Sequence, residues 1–150
     1  MIPVIALALL AGQRGAGSSR RVLWILPVAW LAGGLIGMFV GTSRGSALTC
    51  FSFLLLGSLI AANAKLSVTL TTTLATILGF FHGYLNGSSI NRFNDGACSL
   101  LGLALAVFVI VALFTSFVIP LRQQWALIVV RVAGSWIAAS ALLMLGWAVR

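Results

Sequence analysis

Few residues in this 150-residue chain could do chemistry. His82 is the only histidine, Asp95 the only acid, and Cys50 and Cys98 the only thiols. On a helix, Asn86 follows His82 by one turn, and residues four apart are surface neighbours. An imidazole and an amide so placed could form a polar or metal-contacting pair, with Asp95 as the one carboxylate able to join it. They could equally hydrogen-bond across helices and hold a fold together. Both readings stand on the residues alone. Transition-metal sites usually take several N, S or O ligands, so one imidazole and one amide are a sparse set. A single acid excludes mechanisms built on two carboxylates, glycoside hydrolysis and carboxylate metal cages among them. The cysteines fit neither C-x-x-C nor a zinc-ligand spacing, and both are expected to be buried as small hydrophobes. No phosphate-binding loop, nucleophile elbow or H-E-x-x-H is present. The chain is not expected to be an enzyme, nor to hold a tightly bound cofactor.

The elements that must position these residues are set by composition. Of the residues, 61% are hydrophobic and 7% charged, with a mean hydropathy of +1.18. Soluble domains carry about 25% charged residues, so this chain cannot cover a water-facing surface. The net charge is +8, yet the cations stand singly between apolar runs and do not form the basic face that nucleic acid requires. A nucleic-acid partner is therefore excluded, and the lipid bilayer is the expected one.

A spanning helix takes about 20 mostly apolar residues. Runs of that kind cover residues 22–40, 47–63, 66–87, 97–119 and 125–149. The expected fold is an all-α, polytopic transmembrane helix bundle of five full spans plus an N-terminal partial span, in a single domain. The partial span is residues 1–12, about half the length needed to cross. It could be a signal-peptide core, though no basic segment precedes it, a re-entrant helix, or the second half of a spanning helix that starts upstream. Arg14, Arg20, Arg21, Lys65 and Arg122 fall on one side, and Arg44, Arg92 and Arg150 on the other. The positive-inside rule then puts both termini on the outer side of the membrane.

Lipid gives helices no hydrophobic reason to associate, so small residues that let backbones touch carry the packing. Ala29, Gly33, Gly37 and Gly41 recur at four-residue steps, as do Ala75, Gly79, Gly83 and Gly87. Each series should form a groove on one helix face, and the two helices should run parallel. Gly57 with Ala61, and Gly134 with Ala138, are weaker pairs of the same kind. Arg131, about two turns into the last span, should anchor the structure by snorkelling, with helix-end carbonyls or lipid phosphates as partners. Five threonines from Thr69 to Thr76 can bond back to carbonyls four residues earlier, or line a path toward His82.

The string FFHGYLNG at residues 80–87 resembles the signature of the HupE/UreJ family, F-H-G-x-x-H-G, with Asn86 in the second histidine's place. LWILPVAWLAGGLIG from Leu23, SFLLLGSLIA from Ser52 and RVAGSWIAASALLMLGW from Arg131 are similar to that family's spans, in the same order. The resemblance implies a membrane protein associated with nickel hydrogenases and ureases. It implies a permease-like secondary transporter of nickel or another divalent transition metal, in a bacterial inner membrane. His82, Asn86 and Asp95 would then contact the metal as substrate. The family's first-helix H-P…G-x-D-H ligands and its intramembrane Glu have no counterpart here. PVIALALLAG looks like the back half of that first helix, which favours a start upstream of Met1. A non-transporting scaffold or accessory subunit for a metalloenzyme or its maturation is the alternative that the missing ligands suggest.

Overall fold

A computed structural model describes residues 1–41, 46–90, 96–119 and 124–148, and among them every regular element is a helix. In chain order these are α1 (Ile2–Gln13), α2 (Ala16–Val40), α3 (Ser46–Ala61), α4 (Val68–Ser88), α5 (Gly96–Val118) and α6 (Gln124–Ala148). Contacts sort the helix ends into two sets. Gln13 and Arg14 reach the end of α3 at Ile60 and Asn63, and Gly12 abuts Val118 at the end of α5. Gly34 and Gly37, late in α2, meet Gly87 and Tyr84, late in α4. We refer to the first set as the Arg14 end and to the second as the Gly41 end.

Among the described residues, four helices are long and apolar enough to cross a membrane: α2, α4, α5 and Leu127–Trp147 of α6. The 16-residue α3 extends only about 24 Å at 1.5 Å per residue, against a hydrocarbon core of about 30 Å. The full span expected over residues 47–63 is therefore corrected to a shorter helix. It stops at Ala61 because the chain turns there, and Asn63 adopts a left-handed conformation (φ 48°). Other limits shift as well. α2 begins at Ala16, leaving only Arg14 and Gly15 (φ 89°) between α1 and α2. Arg20 and Arg21 thus lie on a helix and not in a loop. Hydropathy marks depth in the bilayer, whereas a helix continues through polar residues until a turn stops it.

The partial span α1 is apolar all round, with no polar face, which suits lipid and, equally, the inside of the bundle. The structure puts it there: Pro3, Val4 and the run from Ala6 to Gly12 are buried. It packs against each of the other five helices. Around it stand two close pairs, α2 with α4 and α3 with α6, while α5 lies against α1 and α2. The outer surface is what lipid would solvate, with Phe39, Phe51, Leu105, Phe117, Trp136 and Leu143 all exposed.

The α2·α4 seam is made by glycine. A Cβ built at Gly33 or Gly37 falls on the carbonyl oxygen of Phe80 or Tyr84, and one built at Gly83 or Gly87 falls on that of Trp30 or Gly34. Contact partners rise together in number along both helices, so the two run parallel. Gly79 makes room instead for the side chains of Leu26 and Ala29, 2.7 and 3.3 Å from a Cβ built there. Gly41 does not join the groove. It ends α2 in the left-handed conformation (φ 68°), its N–H donating to the Gly37 carbonyl at 2.9 Å, and among the described residues nothing lies within 4 Å of a Cβ built on it. Gly34, absent from the expected series, is the residue that Gly87 needs. The weaker pairs also meet: Gly57 lies against Gly134 and Ala138, and Gly134 against Ile60 and Ala61, an antiparallel small-residue seam between α3 and α6.

The last carbonyls of α3 have no partner further along the helix, and unpaired ones are costly away from water. Turn N–H groups bond several of them, Asn63 N–H donating to the Ile60 carbonyl at 3.0 Å, and side chains from elsewhere add to these. Gln13 Nε2 donates to the Ile60 carbonyl at 3.3 Å, and Arg131 Nε donates to the Ala61 carbonyl at 2.8 Å. Arg14 donates to Asn63 Oδ1 at 2.6 Å, just past the helix end. A cation at a helix C-terminus also faces the negative end of the helix dipole. The position of Arg131, two turns into α6, is thus where the end of α3 falls.

Two measurements check this packing. Thermal unfolding in detergent should show Gly33→Ala and Gly83→Ala destabilised by about 1–3 kcal/mol, the usual cost of overpacking. Gly102→Ala, where a Cβ meets nothing within 4 Å, should be unaffected. In the same assay Arg131→Met should lose about 0.5–1.5 kcal/mol, the net worth of a typical hydrogen bond, and Arg131→Lys should lose less.

Candidate functional site

His82 lies on α4, in the half of the bundle toward the Gly41 end. Measured by rise from the Arg14 end, it is about 21 Å along its helix, and Ile2 is about 17 Å along α1. α1 therefore fills the middle of the bundle up to about one turn short of His82. The glycine seam brings Trp30 of α2 to the same level, because Gly83, next to His82, rests on the Trp30 backbone. The side chain of His82 is 5% exposed and that of Trp30 1%.

Three aromatic rings bound the imidazole. Phe53 of α3 lies near-parallel to it at 5.8 Å between centroids and 22°. Trp30 is similarly disposed at 6.1 Å and 18°, and Phe81 presents itself at 5.1 Å and 68°. Such offset and tilted arrangements are those that ring quadrupoles favour. His82 Nε2 is 2.9 Å from Ser52 Oγ of α3, a buried contact, and the same hydroxyl donates to the Thr49 carbonyl at 2.8 Å. The Trp30 indole Nε1 is buried without a hydrogen-bond partner. Around one imidazole the fold has thus gathered α2, α3 and α4.

α3 and α4 are joined directly but hardly pack against each other. An apolar groove of about 330 Å³ lies between them, lined by residues that include Leu48, Phe51, Leu74, Ile77 and Phe81. Ser52 is the polar residue among those lining it. The Ser52–His82 contact crosses from one helix to the other beside this groove.

The other sequence candidates fall differently. Asn86 is exposed, and its Nδ2 donates to the His82 backbone carbonyl at 2.9 Å. The two residues adjoin, but through the main chain and not through the ring. Asp95 lies outside the described residues. Among those described, no three of His, Cys, Asp and Glu come together. Cys50 is buried, but Cys98, expected to be buried too, is exposed on α5. Thr71, Thr72, Thr73 and Thr76 donate their hydroxyls to carbonyls four residues back, at 2.7–3.0 Å. Only Thr71 of these is buried, so they do not form a continuous hydroxyl-lined path toward His82. Trp30, Ser52 and Phe53 were not singled out by sequence. Their link to His82 is tertiary, and only the serine, a hydroxyl inside an apolar run, carried a signal.

No curated protein and no solved structure matches the chain. The family model described as HupE / UreJ protein matches residues 1–144. That match takes in α1, the glycine seam, the FFHGYLNG segment around His82 and nearly all of α6. A helical, lipid-facing bundle whose single imidazole sits on that segment agrees with it. The chain is an integral membrane protein and belongs to the HupE/UreJ family.

Proposed function

We propose that this protein is a permease-like secondary transporter for a divalent transition metal, nickel foremost, in a bacterial inner membrane with both termini on the outer side. The observation that carries the reading is His82: an ionisable, ligating side chain enclosed within the spanning helices of a HupE/UreJ protein. Polar groups at membrane depth are expensive and mark substrate paths. A cation in transit must be held strongly enough to enter and weakly enough to leave. One imidazole nitrogen with few companions suits the second condition. Asn86 commits its Nδ2 to the His82 carbonyl, which leaves its amide oxygen as an acceptor for a hydrated cation one turn nearer the Gly41 end. Asp95, the chain's one carboxylate, would add negative charge beyond the end of α4. The protein acts without a bound cofactor and catalyses no covalent step.

A second reading, a non-transporting accessory subunit for a metalloenzyme or its maturation, draws support from the sparse ligand set. Nickel uptake into proteoliposomes separates the two. His82→Gln keeps volume and polarity but loses the imidazole, and uptake should fall about tenfold, the equivalent of 1.4 kcal/mol. Asn86→Ala should give a smaller loss. Thermal unfolding should place Asn86→Ala within about 0.5 kcal/mol of the parent, as for other exposed sites. Parent uptake no greater than that of protein-free liposomes would sink the transporter reading and leave the accessory one, and parent uptake matched by both variants would remove His82 and Asn86 from the path.

A further inference from the structure

We propose that Ser52 is a positioning residue: it holds His82 as the Nε2–H tautomer, so that Nδ1 is the nitrogen with the free lone pair. The inference comes from counting protons along three atoms. The Thr49 carbonyl can only accept, and it is 2.8 Å from Ser52 Oγ. The serine hydroxyl has one proton, and that contact uses it. Toward His82 Nε2, 2.9 Å away, the oxygen then presents lone pairs, so Nε2 must be the donor. In the opposite arrangement the hydroxyl donates to Nε2 and faces the Thr49 carbonyl with lone pair against lone pair at 2.8 Å. Burial sharpens the choice, because neither Ser52 nor His82 is open to water that could supply a substitute proton: they are 4% and 5% exposed.

The rings of Phe53 and Trp30, near-parallel to the imidazole, hinder it from turning over to exchange its nitrogens. A histidine that meets metal commonly gives its other ring N–H to a neighbouring acceptor, which fixes tautomer and orientation. Ser52 fills that place. On the transport reading, on which this clause rests, the cation meets Nδ1 while Nε2–H stays on the serine. The serine touches no substrate and acts through the imidazole.

The chain has one histidine, so protein labelled with ¹⁵N-histidine gives two ring-nitrogen signals in detergent micelles or nanodiscs. Above neutral pH the parent should show a protonated Nε2 and an unprotonated Nδ1. Ser52→Ala should move the Nε2–H proton signal upfield and lower the tautomer bias by roughly tenfold, as expected for one lost buried hydrogen bond. Ser52→Thr, which keeps a hydroxyl, should restore both. Cadmium, a diamagnetic divalent probe, should shift Nδ1 with Nε2 still protonated. A parent spectrum with the proton on Nδ1, or a Ser52→Ala spectrum identical to the parent's, overturns the assignment to Ser52. If Ser52→Ala does not fold, the parent tautomer and Ser52→Thr decide the matter. A cadmium response at Nε2 overturns the role of Nδ1. Parent uptake no greater than that of protein-free liposomes sinks transport and leaves the tautomer result standing, so the two failures are distinct.

Discussion

Contact between the backbones of α2 and α4 is the constraint on which the other arrangements depend. In lipid, apolar side chains gain little by leaving one hydrocarbon surrounding for another, and helices adhere where their main chains can approach. Gly33, Gly37, Gly83 and Gly87 remove the side chains that would hold the helices apart. The same contact fixes the local chemistry. With Gly83 seated on the Trp30 backbone, the indole is brought beside His82, and α3 completes the enclosure with Ser52 and Phe53.

The second organising element is α1, packed on all sides. Its composition permits that burial, since a helix with no polar stripe leaves no polar side chain to satisfy at the centre of the assembly. The α3·α6 pair packs mainly against α1, and its hydrogen bond to α4 through Ser52 and His82 is a polar link made elsewhere. The polar contacts that close the Arg14 end, from Gln13, Arg14 and Arg131, all converge on the last residues of α3 or just beyond. The shortest flanking helix is thus the one most tightly held by its end.

Much of this was legible in the sequence, for physical reasons that differ from element to element. Lipid solvation follows from composition, and the α2·α4 seam from glycines spaced at one turn, because that spacing maps directly onto a face. The short α3 was not legible: its apolar run continues through Ala62 and Asn63, and hydropathy does not see the turn. Gly41 continued the glycine spacing but serves to end a helix, which periodicity cannot distinguish from packing. Asn86 was correctly placed one turn from His82. A short amide can nonetheless fold back onto its own helix, and spacing says nothing of that choice. Ser52 and His82 lie 30 residues apart, and no local pattern joins them. Asp95, the remaining candidate, falls in a segment outside the described residues.

The dependence of α3 on Arg131 bears on how the chain is assembled as it emerges from the ribosome. Arg131 is 70 residues downstream of the carbonyl it serves. While α3 is being threaded into the bilayer, its lower end has no such partner, and the glycine face it will offer to α6 is bare. α2 and α4 can lock together long before that, since everything they need has been synthesised by Ser88. Biogenesis would then proceed inward from a parallel core, with α3 waiting as a provisional guest until the last helix arrives to retain it.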